Sequence, residues 1–119
     1  MVGVDIVRNE RIGKAIERFG DRFLKRIYTE RELEYCLSQE ESIPCLSARW
    51  ACKEAVLKAF YAEYGILLKF REIEVLGNRG KPAQVVLHRK EAVELLGNRH
   101  LVVSLSHERE YSVAVACIR

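Results

Sequence analysis

The sequence predicts an α+β fold in which N-terminal helices and one long central helix pack on an antiparallel sheet. Three observations predict it: apolar residues at helical spacing in the first half, an unbroken run of strong helix formers over residues 49–60, and alternating β-rich runs in the second half. A chain of 119 residues without repeats, linkers or low-complexity segments has the size of one domain. We therefore predict a single domain over residues 1–119.

The first half is predicted to contain one short strand followed by helices. The predicted elements are a strand over residues 2–7 and helices over residues 10–19, 21–27, 29–37 and 44–64. Gly20 and Gly65 are expected to end the first and the last of these helices. Thr29 and Glu32 have the spacing of a capping box at the start of the third helix. Pro44 suits the first turn of the long helix.

The second half is predicted to form the antiparallel sheet and one short helix. The predicted elements are strands over residues 70–76, 82–88, 101–107 and 111–118 and a helix over residues 91–96. The segment Gly77-Asn78-Arg79-Gly80 is a turn signal, so the first two of these strands should form a hairpin. Gly97 is expected to end the short helix.

The composition is that of a globular protein, and we expect a cytoplasmic location. Hydrophobic residues make up 49% of the chain and charged residues 31%, and no apolar run approaches the ~20 residues needed to span a bilayer. No signal-peptide pattern precedes the first predicted strand. The four cysteines, Cys36, Cys45, Cys52 and Cys117, show no paired CxxC spacing. We expect buried free thiols rather than a zinc site.

The positive charge is concentrated in the predicted N-terminal helices. Residues 8–26 contain seven basic and three acidic residues, so their net charge of +4 exceeds the +3 of the whole chain. The basic residues that recur at intervals of three or four are Arg11, Lys14, Arg18, Arg22 and Lys25. Such a face indicates an acidic partner, and a solvated helix face is the alternative. The basic residues lie on the first helices and the predicted sheet lacks an aromatic stacking platform, which argues against nucleic acid.

The long central helix carries charges within an otherwise apolar pattern. The charged residues are Arg49, Lys53, Glu54 and Lys58, and the small residues at helical spacing are Ala48, Cys52, Ala55, Ala59 and Ala62. The small residues predict the close approach of a neighbouring element. Charges on a core helix require partners, because an unpaired buried charge is costly. The alternative for Glu54 and Lys58 is a surface ion pair between positions i and i+4, which contributes only about 0.2–0.5 kcal/mol.

Asp5 interrupts the apolar, β-branched run of the first strand. A buried carboxylate needs a partner for its charge. The alternatives to a functional role are a cap on the following turn or a pair with an arginine.

Two segments resemble the signature motifs of 4′-phosphopantetheinyl transferases. They are Gly3-Val4-Asp5-Ile6 and Trp50-Ala51-Cys52-Lys53-Glu54-Ala55-Val56-Leu57-Lys58-Ala59. The segments that further resemble the holo-acyl-carrier-protein synthase branch are Phe23-Leu24-Lys25-Arg26-Ile27-Tyr28-Thr29, Gly80-Lys81-Pro82 and Val103-Ser104-Leu105-Ser106-His107. The resemblance covers nearly the whole chain, with the motifs in the family's order.

The resemblance implies an activity, a cofactor and an assembly. The implied reaction, part of fatty acid biosynthesis, is Mg²⁺-dependent transfer of 4′-phosphopantetheine from coenzyme A to a serine of apo-acyl carrier protein, which also gives adenosine 3′,5′-bisphosphate. Asp5 and Glu54 would bind the Mg²⁺, with Mn²⁺ as an alternative. The base that takes the serine proton would be Glu54 or a metal-bound water. Lys58 would contact a phosphate of the substrate, and the subunits would form homotrimers with active sites between neighbours.

The resemblance also implies two sets of binding residues. The implied coenzyme A contacts are Asp5, Arg49, Lys58, Lys81, Pro82, Ser106 and His107. The basic face of Arg11, Lys14, Arg18, Arg22 and Lys25 would bind the acidic carrier protein. The alternatives are a turn histidine for His107 and a bare hairpin turn for Lys81 and Pro82. For the whole chain, the alternative is a non-catalytic binding module whose basic face recognises an acidic protein.

The chain departs from the family pattern in two places. The segment Tyr61-Ala62-Glu63-Tyr64-Gly65 stands where the family commonly carries a Gly-Thr-Gly type loop, so the long helix should continue there. Trp50 replaces the usual phenylalanine, a change that the core can accommodate by local adjustment.

Overall fold

A computed structural model of the chain describes residues 1–77 and 80–119. Its element order is that of an α+β fold. In chain order the elements are β1 (Val2–Arg8), α1 (Asn9–Phe19), α2 (Asp21–Ile27), α3 (Glu30–Leu37), α4 (Ser42–Tyr64), a 3₁₀ helix (Phe70–Glu72), β2 (Ile73–Leu76), β3 (Gln84–Leu87), α5 (Lys90–Leu96), β4 (Leu101–His107) and β5 (Tyr111–Ile118). The predicted fold class is confirmed. The predicted turn over residues 77–80 lies partly outside the described residues.

The strands form two sheets rather than the single sheet that the sequence predicts. β1, β5 and β4 form an antiparallel sheet with β5 in the centre, while β2 and β3 pair with each other as a separate hairpin. The N-terminal strand takes the place beside β5, with Val4 opposite Val115. The three-stranded sheet therefore joins the two ends of the chain, and the hairpin has to be held by other contacts.

Helix α4 packs directly on the three-stranded sheet through its small residues. A Cβ atom at Gly3 would lie 2.1 Å from the carbonyl oxygen of Ala55 and 3.0 Å from the backbone nitrogen of Ala59, so only glycine fits at this crossing. The close approach that the alanine stripe predicts is confirmed at these two residues. It places the following part of β1, including Asp5, beside the middle of α4.

Local sequence signals position the ends of the helices. Thr29 and Glu32 form the predicted capping box at the start of α3. Gly65 ends α4 in the left-handed conformation, with φ = 73°. The helix therefore continues through residues 61–64, as predicted. Over the described residues, no helix has both the length and the apolar character needed to cross a bilayer.

The start of the predicted strand over residues 70–76 forms a 3₁₀ helix instead. The backbone N–H of Lys69 donates to Glu72 Oε1 at 2.8 Å, and the N–H of Glu72 donates to the carbonyl of Lys69 at 3.0 Å. These local hydrogen bonds pair the backbone groups of Lys69 and Glu72 within a turn. The segment therefore does not form the strand that its alternating pattern predicts. The Phe70 ring also stacks on Trp50, with centroids 4.7 Å apart, so the larger aromatic residue at position 50 has a partner in the core.

The expectation of four free thiols is wrong for two of the cysteines. Cys36 at the end of α3 and Cys45 in the first turns of α4 form a disulfide with Cα atoms 5.4 Å apart. Cys52 and Cys117 are free. The turn between α3 and α4 brings the two cysteines together, and their spacing in the sequence alone does not predict this pairing.

We predict that this disulfide stabilises the fold. The two cysteines are nine residues apart, and closing a short loop in the unfolded chain contributes about 2–3 kcal/mol. The free energy of unfolding in urea should fall by about that amount in the Cys36→Ser/Cys45→Ser variant and change little in Cys117→Ser. Equal stability of all three proteins, or four titratable thiols in the unfolded wild type without reductant, would show that the bond does not form.

Candidate active site

The predicted site residues divide into two groups on opposite sides of α4. We call Asp5, Glu54 and Lys58 the carboxylate group. The other group lines a cleft and consists of Arg49, Lys81, Pro82, Ser106 and His107. Arg49 and Lys58 are nine residues apart on one helix, which at 3.6 residues per turn places them about 180° apart around its axis. One copy of the chain therefore does not bring the two groups together.

The carboxylate group joins the two signature motifs in space. Lys58 Nζ lies 2.9 Å from Asp5 Oδ1 and 3.2 Å from the carbonyl oxygen of Val4. The lysine thus bonds to β1, whereas the i,i+4 alternative would pair it with Glu54. The contact depends on Gly3, because that glycine lets β1 cross α4 at close range.

The electrostatics of Glu54 show that the carboxylate group suits a cation. Burial raises the pKa of Glu54, the negative charge of Asp5 raises it further, and Lys58 and Arg11 offset only part of this increase. Two carboxylates close enough for the charge of Asp5 to raise the pKa of Glu54 form a hard-oxygen donor set of the kind that Mg²⁺ prefers. Among the described residues, no cluster of three or more His, Cys, Asp or Glu side chains could hold a metal. The remaining ligands of a cation here would be substrate oxygens and water.

We predict that a divalent cation lowers the pKa of Glu54. In metal-free protein the pKa should lie above that of an ordinary glutamate, and Asp5→Asn should lower it by removing the neighbouring charge. Mg²⁺ competes with the proton, so the titration should move to lower pH when the ion is added. Carboxyl ¹³C NMR on labelled glutamate can follow this change. A titration that Mg²⁺ leaves in place would show that Glu54 is not a ligand.

The cleft lies between α4, the hairpin and the end of β4. It has a volume of about 900 Å³ and brings Arg49, Lys81 and His107 to one concave surface. Lys81 and His107 are exposed, and the cleft also receives Glu40 and Glu41 from the turn before α4. The structure therefore brings together the cleft residues that the sequence predicts, including Pro82 and Ser106.

Arg49 is held firmly in the wall of the cleft. Its side chain is buried, Nη2 donates to the carbonyl oxygen of Gly77 at 3.0 Å, and the guanidinium lies 4.9 Å from the centre of the Tyr35 ring. Burial lowers the pKa of Arg49, but the group remains a cation at neutral pH. Tyr35 and Gly77 belong to this wall, and no sequence pattern singles them out because both contacts join distant parts of the chain.

The basic face begins beside the carboxylate group. All five of its side chains are exposed: Arg11, Lys14, Arg18, Arg22 and Lys25. Lys14 pairs with Glu10 at 2.7 Å on the surface of α1. Arg11 is close enough to Glu54 to lower its pKa. A partner bound to this face would therefore approach the carboxylates.

Similarity to known proteins shows the family of the chain. A family model described as the 4′-phosphopantetheinyl transferase superfamily matches residues 1–116. The chain belongs to this superfamily, and the predicted family and enzyme class are confirmed.

Three similar proteins carry the name holo-[acyl-carrier-protein] synthase. The chain is 65% identical over 119 residues to the holo-[acyl-carrier-protein] synthase of Aquifex aeolicus, covering 100% of this chain and 98% of the relative. It is 44% identical over 116 residues to the protein of the same name from Leptospira biflexa, covering 96% of this chain and 91% of the relative. The crystal structure of Helicobacter pylori holo-[acyl-carrier-protein] synthase in complex with coenzyme A is similar with a TM-score of 0.83 and 30% identity, covering 100% of both chains.

Proposed function

We propose that the chain transfers 4′-phosphopantetheine from coenzyme A to a serine hydroxyl of apo-acyl carrier protein. The observation that carries the proposal is the contact between the two signature motifs, in which Lys58 of one lies 2.9 Å from Asp5 of the other, with Glu54 beside them. The full-length similarity to holo-[acyl-carrier-protein] synthases supports the same reaction. The products are holo-carrier protein and adenosine 3′,5′-bisphosphate.

The carboxylate group performs the chemistry in this proposal. The serine oxygen attacks the phosphorus that carries the pantetheine arm, and the bond from that phosphorus to the bridging oxygen breaks. Glu54 accepts the serine proton, and Lys58 neutralises charge on the phosphates. Asp5 and Glu54 would hold Mg²⁺, with Mn²⁺ as an alternative. When bound, the cation screens the charge of the pyrophosphate.

The cleft binds the nucleotide part of coenzyme A in this proposal. Arg49, Lys81 and His107 provide positive charge or hydrogen-bond donors for its phosphates, and Pro82 and Ser106 complete the surface. The solved relative in complex with coenzyme A supports a site for this substrate on the fold.

The proposed enzyme is a homotrimer in which each active site lies between two subunits. The carboxylate group and the cleft lie on opposite sides of α4, so a complete site requires the cleft of a neighbour. The outer face of the three-stranded sheet is apolar and exposed. The residues that form it are Val2, Val4, Ile6, Val102, Val113 and Val115, each at least 38% exposed. Association would remove this surface from water.

The experiment that tests the proposed function measures the mass of a carrier protein. The protein is incubated with apo-acyl carrier protein, coenzyme A and Mg²⁺, and the carrier should gain the mass of one phosphopantetheine arm. The same reaction without coenzyme A provides the control. A carrier that binds the protein but keeps its mass would favour the non-catalytic binding module.

We also predict that the basic face sets the affinity for the carrier protein. Exposed charge pairs contribute only about 0.2–1 kcal/mol each, so the effect should be cumulative. Replacing Arg11, Arg18 and Arg22 together by Glu should raise the KM for the carrier at least about tenfold and flatten the loss of activity with added salt. Coenzyme A binding should change little.

A matched triple variant separates docking from total charge. Lys69→Glu/Lys90→Glu/Arg119→Glu makes the same charge change at exposed positions outside α1, α2 and the 3₁₀ helix that contacts α2. It should leave the KM for the carrier nearly unchanged. If both triple variants raise this KM equally, the carrier does not dock on the basic face.

A further inference from the structure

The hairpin of β2 and β3 carries part of the cleft. Among residues 1–77 and 80–119, its strands pair only with each other, from Ile73 opposite Leu87 to Leu76 opposite Gln84. An isolated two-stranded hairpin is at best marginally stable in water. The position of Lys81, which follows β2, therefore depends on what anchors that strand to the helices.

Lys53 anchors the start of β2 from within the core. Its side chain is 0% exposed, and Nζ lies 2.8 Å from Glu32 Oε1. The ammonium also donates to the carbonyl oxygen of Phe70 at 2.9 Å and to that of Ile73. These three acceptors use all three of its hydrogens.

Glu32 anchors the middle of the same strand from α3. Its Oε2 accepts the backbone N–H of Val75 at 2.8 Å, while Oε1 accepts the N–H of Thr29 at 2.9 Å and the ammonium of Lys53. Arg49, one helical turn before Lys53, bonds to Gly77 just after the strand. Buried charged side chains thus hold β2 at its start, middle and end.

Stability alone is a poor explanation for this buried pair. Desolvation offsets most of the attraction between buried charges, and apolar replacements of such pairs are often neutral or stabilising. An apolar pair would make no directional bonds to the strand. The hydrogen bonds that Glu32 accepts and Lys53 donates fix where β2 lies relative to α3 and α4. The hairpin in turn brings Lys81 to the cleft that His107 also lines.

We propose that Glu32 and Lys53 are positioning residues that set the affinity of the cleft for coenzyme A. They do not touch the substrate and act through β2 on the hairpin. The inference rests on the proposed placement of coenzyme A in the cleft. Because the hairpin binds substrate without joining the bond-breaking step, its displacement should raise KM and leave kcat nearly unchanged.

The test replaces the pair with neutral side chains of similar size. In the Glu32→Gln/Lys53→Met variant we expect a KM for coenzyme A at least about tenfold higher, with kcat and the KM for carrier protein within about threefold of wild type. Amide hydrogen exchange in β2 and β3 should become faster while α4 stays protected. The control is Glu63→Gln/Arg99→Met, which neutralises the 2.8 Å ion pair between α4 and the segment after α5. It should leave both KM values unchanged.

Four outcomes decide the inference. A folded double variant whose KM for coenzyme A stays within about twofold of wild type overturns it. Should the double variant not fold, Glu32→Gln decides by the same criterion, because it keeps the size of the side chain but has one acceptor oxygen in place of the two that bind Val75, Thr29 and Lys53. If Lys81→Ala leaves the affinity for coenzyme A unchanged in calorimetry, the cleft is not the coenzyme A site. The inference is then wrong as well, because it depends on that placement. If Lys81→Ala weakens binding and the pair variants do not, only the positioning role is wrong.

Discussion

Glu54→Gln and Asp5→Asn should each lower the transfer of phosphopantetheine at least about a hundredfold while the protein stays folded. Each change removes one of the two carboxylates proposed to bind the cation, and Glu54→Gln also removes the proposed proton acceptor. The rate of mass gain by the carrier protein, measured at saturating coenzyme A and Mg²⁺, gives the size of the loss. Full turnover by either variant would rule out this site.

The stability of Glu54→Gln separates a lost function from a lost fold. The pKa of Glu54 is raised in the folded protein by burial and by Asp5, so protonation of this group favours folding and its ionisation opposes folding. The stabilising contribution is present at low pH and is lost as the pH rises through the raised pKa. At pH 7 the neutral glutamine should therefore leave the melting temperature unchanged or higher. Glu63→Gln, which changes another glutamate of α4 away from the carboxylate group, should retain activity.

Much of the fold follows from local signals in the sequence. The capping box at Thr29 fixes the start of α3 and Gly65 fixes the end of α4, because each depends on residues close in the chain. The two sheets were harder to predict. Period-two alternation shows that a segment is a strand but does not show its partner, and β1 pairs with β5 across more than a hundred residues.

The site was predictable where chemistry and motif spacing determine it. Asp5 within an apolar strand and Glu54 and Lys58 within a core helix required partners, and in the structure Asp5 and Lys58 provide them for each other. The buried network of Glu32 and Lys53 was not predictable, since the capping box already accounts for Glu32 and its contact with Lys53 exists only after α3 packs on α4.

The second large effect is complementation between inactive subunits. It is expected because Arg49 and Lys58 lie on opposite sides of α4. Glu54→Gln keeps an intact cleft, and Lys81→Ala/His107→Ala keeps an intact carboxylate group. If each site uses the carboxylate group of one subunit and the cleft of its neighbour, mixed oligomers contain some sites in which both halves are intact. A closed trimer that contains both variants has about one third of its sites complete, whichever variant is present twice.

The most direct test co-expresses the two variants with different tags, purifies the mixed oligomers by both tags in turn, and measures transfer per site. We predict an activity of about one third of wild type, far above that of either parent protein, because each mixed trimer has one complete site among its three. Two copies of the same variant with different tags provide the control and should remain inactive. Mixed oligomers no more active than their parents would contradict a site shared between subunits.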